Sequence, residues 1–258
     1  MTPPPVTPPP VAPPAIDDSL AWAGDGAAHL RGLMTRMGEE AFGAPSLLPG
    51  WTRAHVLTHI ARNADAMINL LRWAKTGAET QAYPSREQRD ADIESGAGRS
   101  PDEIRTDVIA SSDRLADAVR AMPKDRWTAP VRNPQGAELP AYGVIWGRAR
   151  EVWIHAVDLD VGASFADLPV PMLAVLIDDV GARLGGLAGC PAMVLEDLDS
   201  GRTVAVGPGP DGPDGPPRDL GTVRGPGHEL AAWLLGRSKG KALRTSDGAR
   251  PGPLPSWL

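Results

Sequence analysis

The sequence predicts a four-helix bundle at the N-terminal side followed by a smaller C-terminal α/β domain. Three observations carry that reading. Long stretches with an apolar stripe at helical spacing fill residues 17–164. After Gly162 short β-like runs replace them. Pro and Gly concentrate at the very start of the chain and again around residues 207–217, where too little apolar content remains to pack a core.

Residues 1–16 are read as a disordered Pro-rich leader, because eight Pro in the first 15 residues favour an extended polyproline-II tail. The first helix is expected from about Asp17 to Met37, with Leu20, Leu30, Leu33 and Met34 on its apolar side. The second runs from about Thr52, a suitable N-cap, to Lys75, with Val56, Leu57, Ile60, Ala64, Met67, Ile68 and Leu71 in one stripe. The third opens on Ser100-Pro101-Asp102-Glu103, an N-cap with Pro at the first helical position and Glu at the third. Ile104, Val108, Ile109, Leu115 and Val119 form its apolar face. The fourth spans about Pro140 to Val161, with Val144, Ile145, Val152, Ile154 and Leu159. Four helices with one apolar face each bury those faces most simply as a bundle. In residues 165–258 a helix near Pro171–Leu187 precedes strands at Ala192–Leu195, Thr203–Val206 and Leu220–Arg224, the first two joined through Asp-Ser-Gly, and a helix at His228–Leu235.

Composition narrows the function classes. A formal net charge of −6 argues against a general nucleic-acid binder, which needs a basic stripe. A single Cys forms no internal disulfide and excludes Cys-rich zinc motifs, so a reducing cytoplasm is the expected setting. No apolar run is long enough to span a membrane, and the Pro-rich start lacks the basic and apolar regions of a signal peptide. A monomer is expected.

Two local patterns have metal-ligand spacing. Glu151-Val-Trp-Ile-His155 places a carboxylate and an imidazole on one helical face, and His55-Val-Leu-Thr-His59 does so with two imidazoles. Spacing alone does not separate His55 from His59, although His59 adjoins the apolar stripe and His55 falls in the first turn. A two-His, one-Glu set leaves an open coordination position, the mark of a catalytic zinc site. Asn63 and Asp158, set one turn beyond His59 and His155, are read either as groups that orient the imidazoles or as part of a solvated face. Arg148 and Arg150 are read as solvated, with anion contact as the alternative. His29 is placed on an outer helix face, and Cys190 as a packed or idle thiol.

The stretches LLPGWTRAHVLTHIARNADAMINLLRWAKTGAET and IWGRAREVWIHAVDL, with the Pro-Ser-Trp-Leu terminus, resemble the mycothiol-dependent maleylpyruvate isomerases of actinobacteria over most of residues 20–258. The resemblance implies a DinB-like four-helix bundle holding one divalent metal, usually zinc, through His59, Glu151 and His155, which leaves His55 as a surface residue. It also implies mycothiol as the low-molecular-weight thiol cofactor, maleylpyruvate as substrate in the gentisate pathway of aromatic degradation, and an essential Arg at Arg237, in the Gly-Arg turn after the last helix. Its plain alternative is a helix-terminal Arg complementing the dipole. The Pro-rich leader and the Gly/Pro/Asp loop depart from the family pattern outside the ligand-bearing segments. Two other readings share the metal set: a mycothiol S-transferase acting on another electrophile, and a noncatalytic zinc-binding regulatory module.

Overall fold

The computed structural model describes residues 12–207 and 219–255. Most of the Pro-rich leader, nearly all of the Gly/Pro/Asp loop and the last three residues of the chain lie outside them. Two compact units are present, Pro13–Ala163 and Ser164–Leu258.

The first unit holds helices α1 (Ile16–Arg36), α2 (Arg53–Thr76), α3 (Arg86–Ala97), α4 (Pro101–Arg120) and α5 (Tyr142–Asp158), with a short hairpin of β1 (Pro130–Arg132) and β2 (Glu138–Pro140). Their ends follow local chemistry. The Thr52 side chain accepts from the His55 backbone N–H, and the His55 ring accepts in return from the Thr52 N–H, closing a capping box at the start of α2. Gly77, at φ +77°, ends that helix in the left-handed conformation that glycine adopts without strain. Ser100 and Glu103 cap α4 reciprocally. These signals act within one turn, so they are readable before any tertiary contact forms.

Helices α1, α2, α4 and α5 are the bundle, with α1 against α5, α2 against α4, and α2 against α5. Leu30, Met34, Leu57, Ile60, Ile104 and Leu159 sit at its centre, each essentially excluded from solvent. A second cluster packs Leu70, Leu71, Leu115, Val144 and Ile145 towards the other end. Gly26 permits the close α1–α5 crossing: a Cβ there would stand 2.5 Å from Val152 Cγ2. At the α2–α5 crossing, Arg53 Nε donates to the Leu159 carbonyl at 2.6 Å and Nη2 to the Asp160 carbonyl at 2.9 Å. The first residue of α2 thereby grips the end of α5. That grip matters because both helices carry the residues singled out above.

Helix α3 and the β1–β2 hairpin are absent from the sequence expectation. The hairpin strands are three residues each, too short for alternation to register. Helix α3 is charged on most faces and buries only Ile93 and Gly96, so it has no apolar stripe to find. Its start was legible nonetheless: Ser85 accepts from the Gln88 N–H, the Ser-x-x-Gln signature of a helix N-terminus.

The second unit contains α6 (Val170–Gly185), β3 (Ala192–Asp197), β4 (Thr203–Val206), β5 (Asp219–Gly225) and α7 (Gly227–Leu234). The sheet has the order β4-β3-β5, with β3 antiparallel to β4 and parallel to β5. Helix α6 packs on α7 and on β4, which makes this unit the α/β domain. Among the described residues no helix is long and apolar enough to cross a membrane.

Candidate metal centre

His59 sits in the second turn of α2 and is 5% exposed. Glu151 and His155 lie one turn apart on α5, and the α2–α5 crossing brings all three together. His59 Nε2 is 2.8 Å from Glu151 Oε2, and His155 Nε2 is 3.3 Å from the same oxygen. The imidazoles meet edge to face with centroids 4.7 Å apart. One ligand atom from each residue lies within 4.8 Å of the other two. A tetrahedral site with bonds of roughly 2.0 Å has ligand–ligand edges of about 3.3 Å, so the three side chains need only small shifts to close on one ion. The donor set, two imidazoles and one carboxylate, leaves a coordination position for a ligand that is not part of the chain.

The surroundings orient these groups. Asp158 is fully buried, and its Oδ2 lies 2.8 Å from His155 Nδ1. Holding the proton of that nitrogen turns Nε2 towards Glu151, as metal-ligating imidazoles require. Burial alone would lower the His155 pKa, but the hydrogen bonds to Asp158 and Glu151 and the two carboxylate charges raise it to about 9. Burial opposes ionisation of Glu151 as well, and the hydrogen bonds from His155 and His59 overcome it, holding the carboxyl well below its ordinary range. For His59 burial prevails and the pKa falls. On its far side, His59 Nδ1 faces Arg89 Nη2 at 3.3 Å, and the Trp51 ring lies 5.7 Å away. Tyr83 is held above its ordinary value by burial and then by the charge of Glu151.

Several placements differ from the sequence reading. Arg148 is not solvated: it is 3% exposed, and Nη1 donates to the Ile60 carbonyl and to Asn63 Oδ1, both at 2.8 Å. Burial lowers its pKa to about 10, which still leaves it charged at neutral pH. Asn63 therefore serves Arg148 by this bond, whereas Asp158 does orient an imidazole. His55 is half-buried as a helix cap and pairs with Glu94 at 3.2 Å, so it is occupied structurally. His29 stacks on Trp153 at 5.1 Å, packed where an outer face was expected. Cys190 is buried as expected. Arg237 follows Gly236, which adopts φ +74° after α7, and its Nη1 donates to the Leu235 carbonyl at 2.6 Å. The reading missed Arg89 and Tyr83, which neighbour the cluster from a segment with no apolar periodicity.

Residues 23–160 match the family model described as the mycothiol maleylpyruvate isomerase N-terminal domain. Two solved structures align over 95% of this chain and 98% of their own. One is the mycothiol-dependent maleylpyruvate isomerase, 34% identical with a TM-score of 0.86. The other is a histidine-to-alanine mutant of that enzyme, 33% identical with a TM-score of 0.86. No curated protein sequence matches significantly. The likeness covers both units and greatly exceeds what a shared bundle alone would give, and so the chain belongs to the mycothiol-dependent maleylpyruvate isomerase family, a family of isomerases.

Proposed function

We propose that this protein converts maleylpyruvate to fumarylpyruvate with mycothiol as its thiol cofactor, as a cytoplasmic monomer serving the gentisate route of aromatic degradation. The observation that carries the reading is the convergence of His59, Glu151 and His155 in a chain of this family. Cis–trans isomerisation requires a carbon–carbon double bond to become single for long enough to rotate. Addition of a thiolate to the activated alkene achieves this: a carbon–sulfur bond forms and the alkene electron pair moves onto the conjugated carbonyl as an enolate. After rotation the enolate returns the pair and expels the thiolate unchanged. No redox partner is needed.

The chain's own thiol is unsuited to the task. Cys190 is 2% exposed and burial pushes its pKa up, the opposite of what a nucleophilic sulfur needs. A borrowed thiol is therefore the consistent source. His59, Glu151 and His155 would hold Zn²⁺, which supplies charge stabilisation of a thiolate at neutral pH. Asp158 fixes the proton on His155 Nδ1 and keeps the other nitrogen directed at the centre. Arg237 would bind a substrate carboxylate or the enolate oxygen, where a planar guanidinium offers paired donors.

The deciding experiment follows maleylpyruvate by ultraviolet absorbance with and without mycothiol, alongside metal analysis of wild type and His155→Ala. The expected result is thiol-dependent conversion and about one zinc per chain, lost in the variant. Thiol-independent conversion would refute the cofactor. No conversion in the presence of thiol and zinc would point instead to transfer of mycothiol to another electrophile. Full metal retention in His155→Ala would remove the ligand assignment.

A further inference from the structure

We propose that Arg89 is a substrate-anchoring residue, binding a carboxylate of a dianionic substrate beside the three-residue centre. The proposal rests on the functional reading above. Arg89, Ile93 and Gly96 share one face of α3 at spacings of four and three. Ile93 is buried, and Gly96 comes so near α2 that a Cβ would lie 2.4 Å from Thr58 Cγ2. Thr58 is fully buried and immediately precedes His59. The backbone of α3 is thereby fixed next to the ligand-bearing turn of α2. From that position Arg89 extends Nη2 to 3.3 Å from His59 Nδ1, with its guanidinium carbon 5.9 Å from the centre of the Tyr83 ring.

A purely structural role accounts poorly for this arginine. Its carboxylate partner is Asp90, adjacent in sequence and half exposed, at 2.6 Å, and such a pair contributes little to stability. The arginines that tie the bundle together behave differently. Arg62 and Arg99 both grip Asp107, whose side chain is only 14% exposed, and so join α2 and the α3–α4 turn to α4. Arg89 instead places a positive charge against an imidazole already faced by a second imidazole. A guanidinium has donors and no acceptor, so it adds nothing to a cation site and repels the charge that site is suited to hold. An anion resting against both removes that repulsion. A carboxylate fits best, because its two oxygens match the guanidinium fork. Maleylpyruvate carries two carboxylates, and Arg89 would anchor one of them.

The test compares wild type with Arg89→Met and Arg89→Lys by three measurements. These are zinc affinity of the metal-free protein against a chelator, binding of maleate to the zinc-loaded protein in the absence of thiol, and the separate kcat and KM for maleylpyruvate. Arg89→Met is expected to bind zinc as tightly as wild type or more tightly, and to bind maleate at least about tenfold more weakly. Its KM should rise by a similar factor with kcat changed less than about threefold, since uniform binding is what is lost. Arg89→Lys should fall between the two, and decides the matter if the Met variant does not fold. Unchanged maleate affinity overturns the proposal. A fall in zinc affinity overturns it too, because Arg89 would then be a support for His59. If wild type fails to isomerise maleylpyruvate, the functional reading falls while the maleate titration still decides Arg89.

Discussion

On the proposed metal assignment, loading of the centre is coupled to one proton on His155. At pH 7 in the metal-free protein His59 is neutral, because burial lowers its pKa, and Glu151 is ionised. His155 is protonated: burial alone would lower its pKa, but the hydrogen bonds to Asp158 and Glu151, with their charges, raise it to about 9. A coordinating nitrogen must be unprotonated, so uptake of a divalent ion at pH 7 expels that proton. With a pKa of about 9, roughly one molecule in a hundred is ready at pH 7. Apparent metal affinity should therefore gain about tenfold from pH 7 to 8 and about fivefold from pH 8 to 9, about fiftyfold in all, and level off above. Stability of the metal-free protein runs the other way. A folded pKa raised above the unfolded value near 6.5 contributes stability that is full below pH 6.5 and is lost as pH rises through about 9. The assay is competition against a chromophoric chelator at pH 7, 8 and 9, with proton release read from an indicator in weak buffer. A flat affinity across that range, with no proton released at pH 7, refutes the assigned protonation. Asp158→Asn supplies the control. Removing the buried carboxylate lowers the His155 pKa and flattens the slope, while the limiting affinity falls about 10- to 100-fold through loss of orientation.

Gly96→Ala should destabilise the protein by about 1–3 kcal/mol, since its Cβ would meet Thr58 Cγ2 at 2.4 Å; an unchanged urea midpoint would mean that α3 moves aside freely. Cys190→Ala should leave thiol-dependent turnover within about twofold of wild type, because the proposed reaction takes its sulfur from an external thiol, whereas a large loss in a folded variant would place the nucleophile in the chain. Arg237→Ala should keep its metal and lose about 10²–10³ in rate, and an unaltered rate would exclude it from the chemistry.

Much of this protein is legible locally. Helical period and end chemistry, such as Thr52 at α2 and the Ser100–Glu103 box at α4, act over one turn. They mark those helices before any packing is known. The Glu151–His155 half of the cluster is equally local, because four residues of helix put both groups on one face. The start of α3 was readable at Ser85 and Gln88, yet its helix buries too little to show a stripe. Its strength lies in a close approach of Gly96 to α2, which only packing reveals.

The bundle, the change of texture after Gly162, the Glu151–His155 pair on α5 and the scarcity of thiol are all legible in the sequence alone. Spacing left His55 and His59 equivalent, and the adjoining apolar stripe together with the family resemblance favoured His59. Packing separates the two: His55 caps α2 and pairs with Glu94, while His59 meets Glu151 across 92 residues of chain. It also decided that Arg148 is buried and that Arg89 reaches the centre. The physical reason is range. Backbone hydrogen bonding and side-chain periodicity are set within a few residues, whereas the meeting of α2, α3 and α5 depends on how whole helical faces pack.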